Sequence, residues 1–161
     1  MRQNSVATMQ QSHEIPCLLL QLIDTTLLVP TVSVAEMAPM NPAREVPDAP
    51  TWLYGMYAWR EIEVPLLSYE SLNGMPTPSL NMSGRVAVFN NTGVNDKLPF
   101  IAIATQGIPR MARIGENDIV QDMERQKNPV DLMMVKVGME EFVIPDITAL
   151  ETTYLNFWNQ Y

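Results

Sequence analysis

The sequence predicts an all-β chain with short helices, folded as small barrels rather than as one flat sheet. Two observations carry this. Short runs of apolar residues recur between segments rich in Pro, Gly and Ser, the spacing of strands and turns. A unit of hairpin plus proline also occurs twice: LLLQLIDTTLLVPTVSVAE, 18–36, aligns without a gap on MMVKVGMEEFVIPDITALE, 133–151, with Leu20 on Val135, Val29 on Ile144 and Pro30 on Pro145.

Residues 1–14 lack apolar periodicity and are expected to be a mobile tail, with structure beginning near Ile15. Leu18, Leu20 and Leu22 share one strand face, Leu19, Gln21 and Ile23 the other, and DTT turns the chain into Leu27–Val29. The stretch 38–50 alternates proline with charge and reads as a surface loop. WLYGMYAWREIEVPLLSYESL, 52–72, reads as a hairpin with Trp59, Arg60, Glu61 and Glu63 in its middle and Pro65 near its end. NGMPTPSLNMSG, 73–84, is the expected internal boundary, dividing the folded part 15–161 into approximate halves 15–78 and 79–161. RVAVFNN and PFIAIATQGI are strands around the turn NTGVNDK, and 114–129 is expected to be irregular with one short helix. A third hairpin turns at Gly138. The terminal segment is a helix whose Ile147, Leu150, Tyr154, Leu155 and Trp158 share a face.

Pro30, Pro65 and Pro145 are each expected to end a strand, because proline has no N–H for the ladder and its fixed φ suits a helical first turn. Capping boxes then follow at Ser33 to Glu36 and at Thr148 to Glu151.

Composition excludes several function classes. The chain has 161 residues and a net charge of −8, with no cluster of basic residues to hold nucleic acid or an anionic membrane. The apolar run Cys17–Val29 is split by Gln21 and Asp24, so it reads as a hairpin rather than a signal peptide or a membrane span, and a cytoplasmic location is expected. The single cysteine, Cys17, reads as a small core hydrophobe, and the single histidine, His13, falls in the tail. The 12 methionines serve either as core filler or as an adaptable surface, Met37 and Met40 being the expected exposed ones. No zinc set, Ser-His-Asp triad or glycine-rich phosphate loop is present, and no cofactor is expected. Glu61 with Glu63, and Glu140 with Glu141, are the acid–base candidates; the alternative is a solvated strand face and a hairpin turn.

Four segments carry a resemblance, in order: LLVPTVSVAEM, the Pro-rich loop, GMYAWREIEVPLLSY and FVIPDITAL. Over roughly 15–155 the chain resembles a CheW-like domain. Gly55, Arg60 and Pro65 agree with that family's Gly-x-x-x-x-Arg-Gly-x-x-x-Pro pattern. The Asn-Leu before the arginine is here Ala58-Trp59, the following Gly is Glu61, and the Asp after the proline is Ser68. Trp59-Arg60 followed by VPLLSYE is most similar to the divergent ChpC type of pilus-linked systems, which acts in twitching motility.

The resemblance implies two intertwined SH3-like five-stranded barrels and a non-enzymatic scaffold or adaptor. It also implies two partners, the regulatory domain of a CheA-type histidine kinase and the cytoplasmic tip of a methyl-accepting chemoreceptor. Trp59, Arg60, Glu61, Glu36 and Met37 become candidate partner-binding residues. Arg60 could present its planar fork to a partner's carboxylate, or pair with Glu61, Glu63 or a loop carboxylate. Glu36 carries the capping-box alternative, and Gly55, Pro30, Pro65, Pro145, Ser33, Thr148 and Glu151 are read as structural. Two other functions stay open: a receptor-side adaptor that does not bind the kinase, and a small hydrolase using Glu61 and Glu63.

Overall fold

The apolar alternation becomes short strands throughout the computed structural model, which describes residues 13–160. In chain order they are β1 (Glu14–Gln21), β2 (Thr26–Pro30), a 3₁₀ turn at Thr31–Ser33, β3 (Val34–Pro39), β4 (Leu53–Trp59) and β5 (Ile62–Leu67). There follow α1 (Tyr69–Leu72), β6 (Arg85–Asn90), β7 (Phe100–Ala104), β8 (Arg110–Gly115), β9 (Ile119–Gln121), β10 (Asp131–Val137), β11 (Glu140–Pro145) and α2 (Ile147–Trp158). Residues 1–12 of the expected tail lie outside the described residues, and Glu14 is already in strand.

The strands form two sheets, ordered β8-β1-β2-β11-β10-β9 and β3-β6-β7-β5-β4. The first joins both ends of the chain, and the second is built from 34–104. The segment 73–84 therefore falls inside the second sheet, between β5 and β6, and neither sheet is confined to one of the halves 15–78 and 79–161. Each sheet holds an apolar core of its own, Cys17, Leu19, Leu28, Val135 and Phe142 in the first and Tyr57, Val64, Leu66, Val86 and Val88 in the second. A larger core draws on both: Leu20, Leu27 and Val143 meet Leu67, Phe89, Ile101 and Ile103, closed by Leu150 and Tyr154 of α2. Burying each such leucine contributes roughly 1.5–3 kcal/mol.

The internal repeat carries its pairing with it. Leu20 opposes Leu27 and Leu18 opposes Val29, while their counterparts Val135 and Met133 oppose Phe142 and Ile144. The two hairpins then meet through a parallel contact of Leu27 with Val143, one residue beyond the counterpart Phe142. Side chains alternate along a strand, so this slip turns equivalent residues to opposite faces. Leu27 enters the shared core and Phe142 the core of the first sheet.

Several local expectations are corrected by long-range contacts. Pro65 does not end its strand. It opposes Met56, and pairing of β5 with β7 starts one residue later, at Leu66 with Ala102, so the missing N–H falls where that edge is unpaired. Neither capping box forms. After Pro30 the chain makes only three residues of 3₁₀ helix, and Glu36 pairs with Val88 inside β3. The cap of α2 is Asp146, which accepts the Ala149 amide, and Glu151 is buried within the helix. The segment 114–129 contains the end of β8 and β9 in place of a helix. Met40 is buried, and the exposed methionines include Met111, Met123 and Met139. Phe157 rather than Trp158 completes the buried face of α2.

Helix α1 ties the sheets together. The Tyr69 hydroxyl donates to Asp131 Oδ1 at 2.6 Å, Asn73 Nδ2 donates to the same oxygen at 2.9 Å, and Glu70 accepts the Ile23 amide at 3.2 Å. Both hairpins of the first sheet are thereby held by one turn of helix.

Candidate partner-binding surface

The hairpin β4–β5 closes in two residues, Arg60 and Glu61, with φ of 47° and 67°. Positive φ at both positions is the type I′ geometry whose twist suits a β-hairpin, and it is normally filled by Asn-Gly or Asp-Gly. Arg60 is therefore a turn residue, not a strand residue. Its Cζ lies 4.7 Å from the centroid of Trp59, which is almost wholly buried and packs edge-on against Phe100 at 4.7 Å.

The carboxylate that meets Arg60 is Glu36, on β3, and none of those the sequence put forward. Glu36 Oε1 accepts from Arg60 Nη2 at 2.7 Å and from Trp59 Nε1 at 3.2 Å. The arginine side chain is 64% exposed, and among the described residues its Nε and Nη1 make no hydrogen bond, so part of the fork faces outward. Met37, next to Glu36, packs half-buried against the shared core.

Glu63 belongs to a different pair. Arg44 donates to it twice, Nε to Oε2 and Nη2 to Oε1, both at 2.8 Å. That hydrogen-bonded pairing holds the Glu63 carboxyl below its ordinary value and raises Arg44. Glu61 sits exposed in the turn, not on the face of β5. A general acid needs a raised pKa and a converging partner; the Glu63 carboxyl is lowered, and Glu61 lies in the turn rather than beside it. The hydrolase reading fails on this geometry.

Beside the Arg60 corner runs a groove of about 490 Å³. One wall is Met56, Ile62, Val64 and Pro65 of the hairpin, another is Leu98, Pro99 and Phe100, and the third is Tyr154, Leu155 and Trp158 of α2. Glu63, Asn95, Lys97 and Asn159 form a polar rim. Trp158 is 55% exposed and stacks on Tyr154 with centroids 6.1 Å apart. Phe100 joins the groove to the corner, since it lines the one and supports Trp59 in the other.

Gly55 is needed for close approach: its φ is +142°, and a Cβ there would lie 2.3 Å from the Arg44 carbonyl oxygen. Arg44 and Met56 exchange backbone hydrogen bonds of 2.8 and 2.9 Å across that glycine, which also delivers Arg44 to Glu63. Two side chains with structural roles escaped the sequence reading. Arg44 had no local signal in a loop of prolines. Ser68, standing where the family pattern has Asp, caps α1 by accepting the Ser71 amide at 3.1 Å, which its position before a helical turn could have indicated.

Residues 16–150 match the family model described as CheW-like domain. Among solved structures, the scaffolding protein TtCheW from Thermoanaerobacter tengcongensis superposes with a TM-score of 0.70 at 12% identity, over 84% of this chain and 86% of that one. No curated protein matches. No helix among the described residues is long and apolar enough to cross a membrane. The two sheets are thus the two SH3-like β subdomains, six-stranded and five-stranded, and the chain belongs to the CheW-like domain family, a family of non-enzymatic scaffolds in chemotaxis signalling.

Proposed function

We propose that this scaffold couples the cytoplasmic tip of a methyl-accepting chemoreceptor to the regulatory domain of a CheA-type histidine kinase, in the cytoplasm, within a pilus-linked array of the ChpC type that serves twitching motility. The observation that supports it best is the Glu36–Trp59–Arg60 corner bordering an apolar groove with a polar rim. A receptor tip is an amphipathic helical hairpin, and such a partner takes a groove of this character, with an aromatic anchor and charged groups at the edge.

Binding of the purified chain to a receptor-tip fragment and to the kinase regulatory domain tests the proposal, in an assay that detects micromolar affinity. Arg60→Ala is expected to weaken binding about tenfold or more while the circular dichroism spectrum is unchanged, since loss of a charge-assisted hydrogen bond costs ~1.5–3 kcal/mol. Absence of binding to either fragment refutes the coupling.

Glu61 motivates a second reading. It puts an exposed carboxylate in the turn where the family pattern has glycine, which alters one docking surface. Retention of the receptor tip without the kinase domain selects the receptor-side adaptor.

A further inference from the structure

Glu151 is the residue that the sequence assigned to a helix cap and that the fold uses otherwise. It is wholly buried in the middle of α2, between Leu150 and Tyr154 of the shared core. Among the described residues it meets no lysine or arginine. Both of its oxygens accept from a single residue, Thr92: the amide at 3.1 and 3.3 Å, and the hydroxyl, which also lies 3.0 Å from Thr148 Oγ1. A carboxylate in such a place is costly, and a leucine there would pack at no such cost.

Thr92 opens the loop that runs between β6 and β7. The loop is braced internally: Asn91 donates through its amide to the Pro99 carbonyl and through Nδ2 to the Leu98 carbonyl, while Asn95 receives the Lys97 amide on Oδ1 and the Leu98 amide on its carbonyl. Among the described residues, Thr92 makes all the hydrogen bonds between this loop and α2. Asn95, Lys97, Leu98 and Pro99 of the loop face Tyr154, Leu155 and Trp158 of the helix across the groove. Glu151 lies one turn before Tyr154 and Leu155, and Thr92 three residues before Asn95, so the link sits at one end of both walls.

We infer that Glu151 is a positioning residue: through Thr92 it fixes the loop at residues 91–99 against α2 and so sets the width of the groove. Its effect on partner binding rests on the function proposed above; its effect on groove width does not.

The test uses the full-length chain with Cys17→Ser and spin labels at Asp96→Cys and Asn156→Cys, both exposed and outside the groove lining. Thr92→Val keeps the shape and the amide but removes the hydroxyl, Glu151→Gln replaces the carboxyl group by an amide, and Thr92→Ser keeps every donor. The loop-to-helix distance distribution is expected to be narrow in the parent and in Thr92→Ser, and to broaden in Thr92→Val and in Glu151→Gln. Affinity for the receptor-tip fragment is expected to fall about tenfold in Thr92→Val and to be restored in Thr92→Ser, the scale of one charge-assisted hydrogen bond. If Glu151→Gln does not fold, Thr92→Val decides. A distribution unchanged in Thr92→Val overturns the inference. A broadened distribution in a chain that binds no receptor tip upholds it and refutes the coupling function instead.

Discussion

Replacing Glu61 by glycine is expected to stabilise the protein. Glu61 occupies the second turn position at φ 67° and, among the described residues, makes no hydrogen bond or ion pair. A non-glycine residue in the left-handed region costs roughly 1–2 kcal/mol, while glycine makes the unfolded chain freer by about 0.4–1 kcal/mol. The difference leaves a net gain of about 0.5–1 kcal/mol, or roughly 1–4 °C in Tm for a chain of this size. Glu61→Ala is the control, because it removes the same side chain and keeps the strained backbone; it should stay within about 0.5 kcal/mol of the parent. Urea and thermal denaturation of the three proteins measure the effect. If Glu61→Gly is no more stable than Glu61→Ala, the strain assigned to this turn is wrong. Strain at an exposed turn beside the proposed docking surface accords with a functional role for the carboxylate.

Three further outcomes follow from the packing. Gly55→Ala forces a Cβ into the Arg44 carbonyl and should cost at least about 3 kcal/mol, read as a lowered urea midpoint; a loss below ~1 kcal/mol would mean that the loop yields freely. Tyr69 is held above its ordinary value of 10.0, first by burial and then by its hydrogen bond to Asp131, and Tyr54, Tyr57 and Tyr154 are raised by burial. The unfolded chain therefore releases these protons first: stability is full below about pH 10 and falls above it, by about 1.4 kcal/mol per pH unit for each proton. Tyr69→Phe should cost ~1–3 kcal/mol at neutral pH, where Asp131 loses a donor, and should flatten the alkaline slope by one proton; an unchanged slope contradicts the assignment. The Cys17 thiol is buried, and burial raises its pKa, so alkylation should be slow in the native protein and fast in denaturant. Equal rates in both would mean that the core of the first sheet is open.

What the sequence disclosed is local. Alternation located the strands, and the gapless repeat carried the pairing of two hairpins, because a turn and its flanking pattern determine hairpin register. It could not show that Leu27 would meet Val143 rather than Phe142, a choice made by the shared core. The errors have one form. Ser33 with Glu36 and Thr148 with Glu151 have capping-box spacing, yet Glu36 is taken by Arg60 and Trp59, and Glu151 by Thr92, residues remote in sequence. A short motif scores only near neighbours and cannot weigh a competing partner brought by the fold. The partner-binding candidates Trp59, Arg60 and Glu36 do come together, but Tyr154 and Trp158, which wall the groove beside them, had no signal beyond helical periodicity.

The interleaving of the two sheets bears on the order in which the chain can assemble. The second sheet lies within 34–104 and can close while the ribosome is still making the rest. The first hairpin has no such option, since β2 finds β11 only after more than a hundred further residues. Closing so long a loop delays the pairing rather than weakening the finished fold. During that interval Leu18, Leu20, Leu22 and Leu27 lack Val143, Leu150 and Tyr154, which complete the core around them, and a nascent chain should be most exposed to misassociation there. Refolding followed at Trp59 in the second sheet should therefore run ahead of burial at Cys17 in the first.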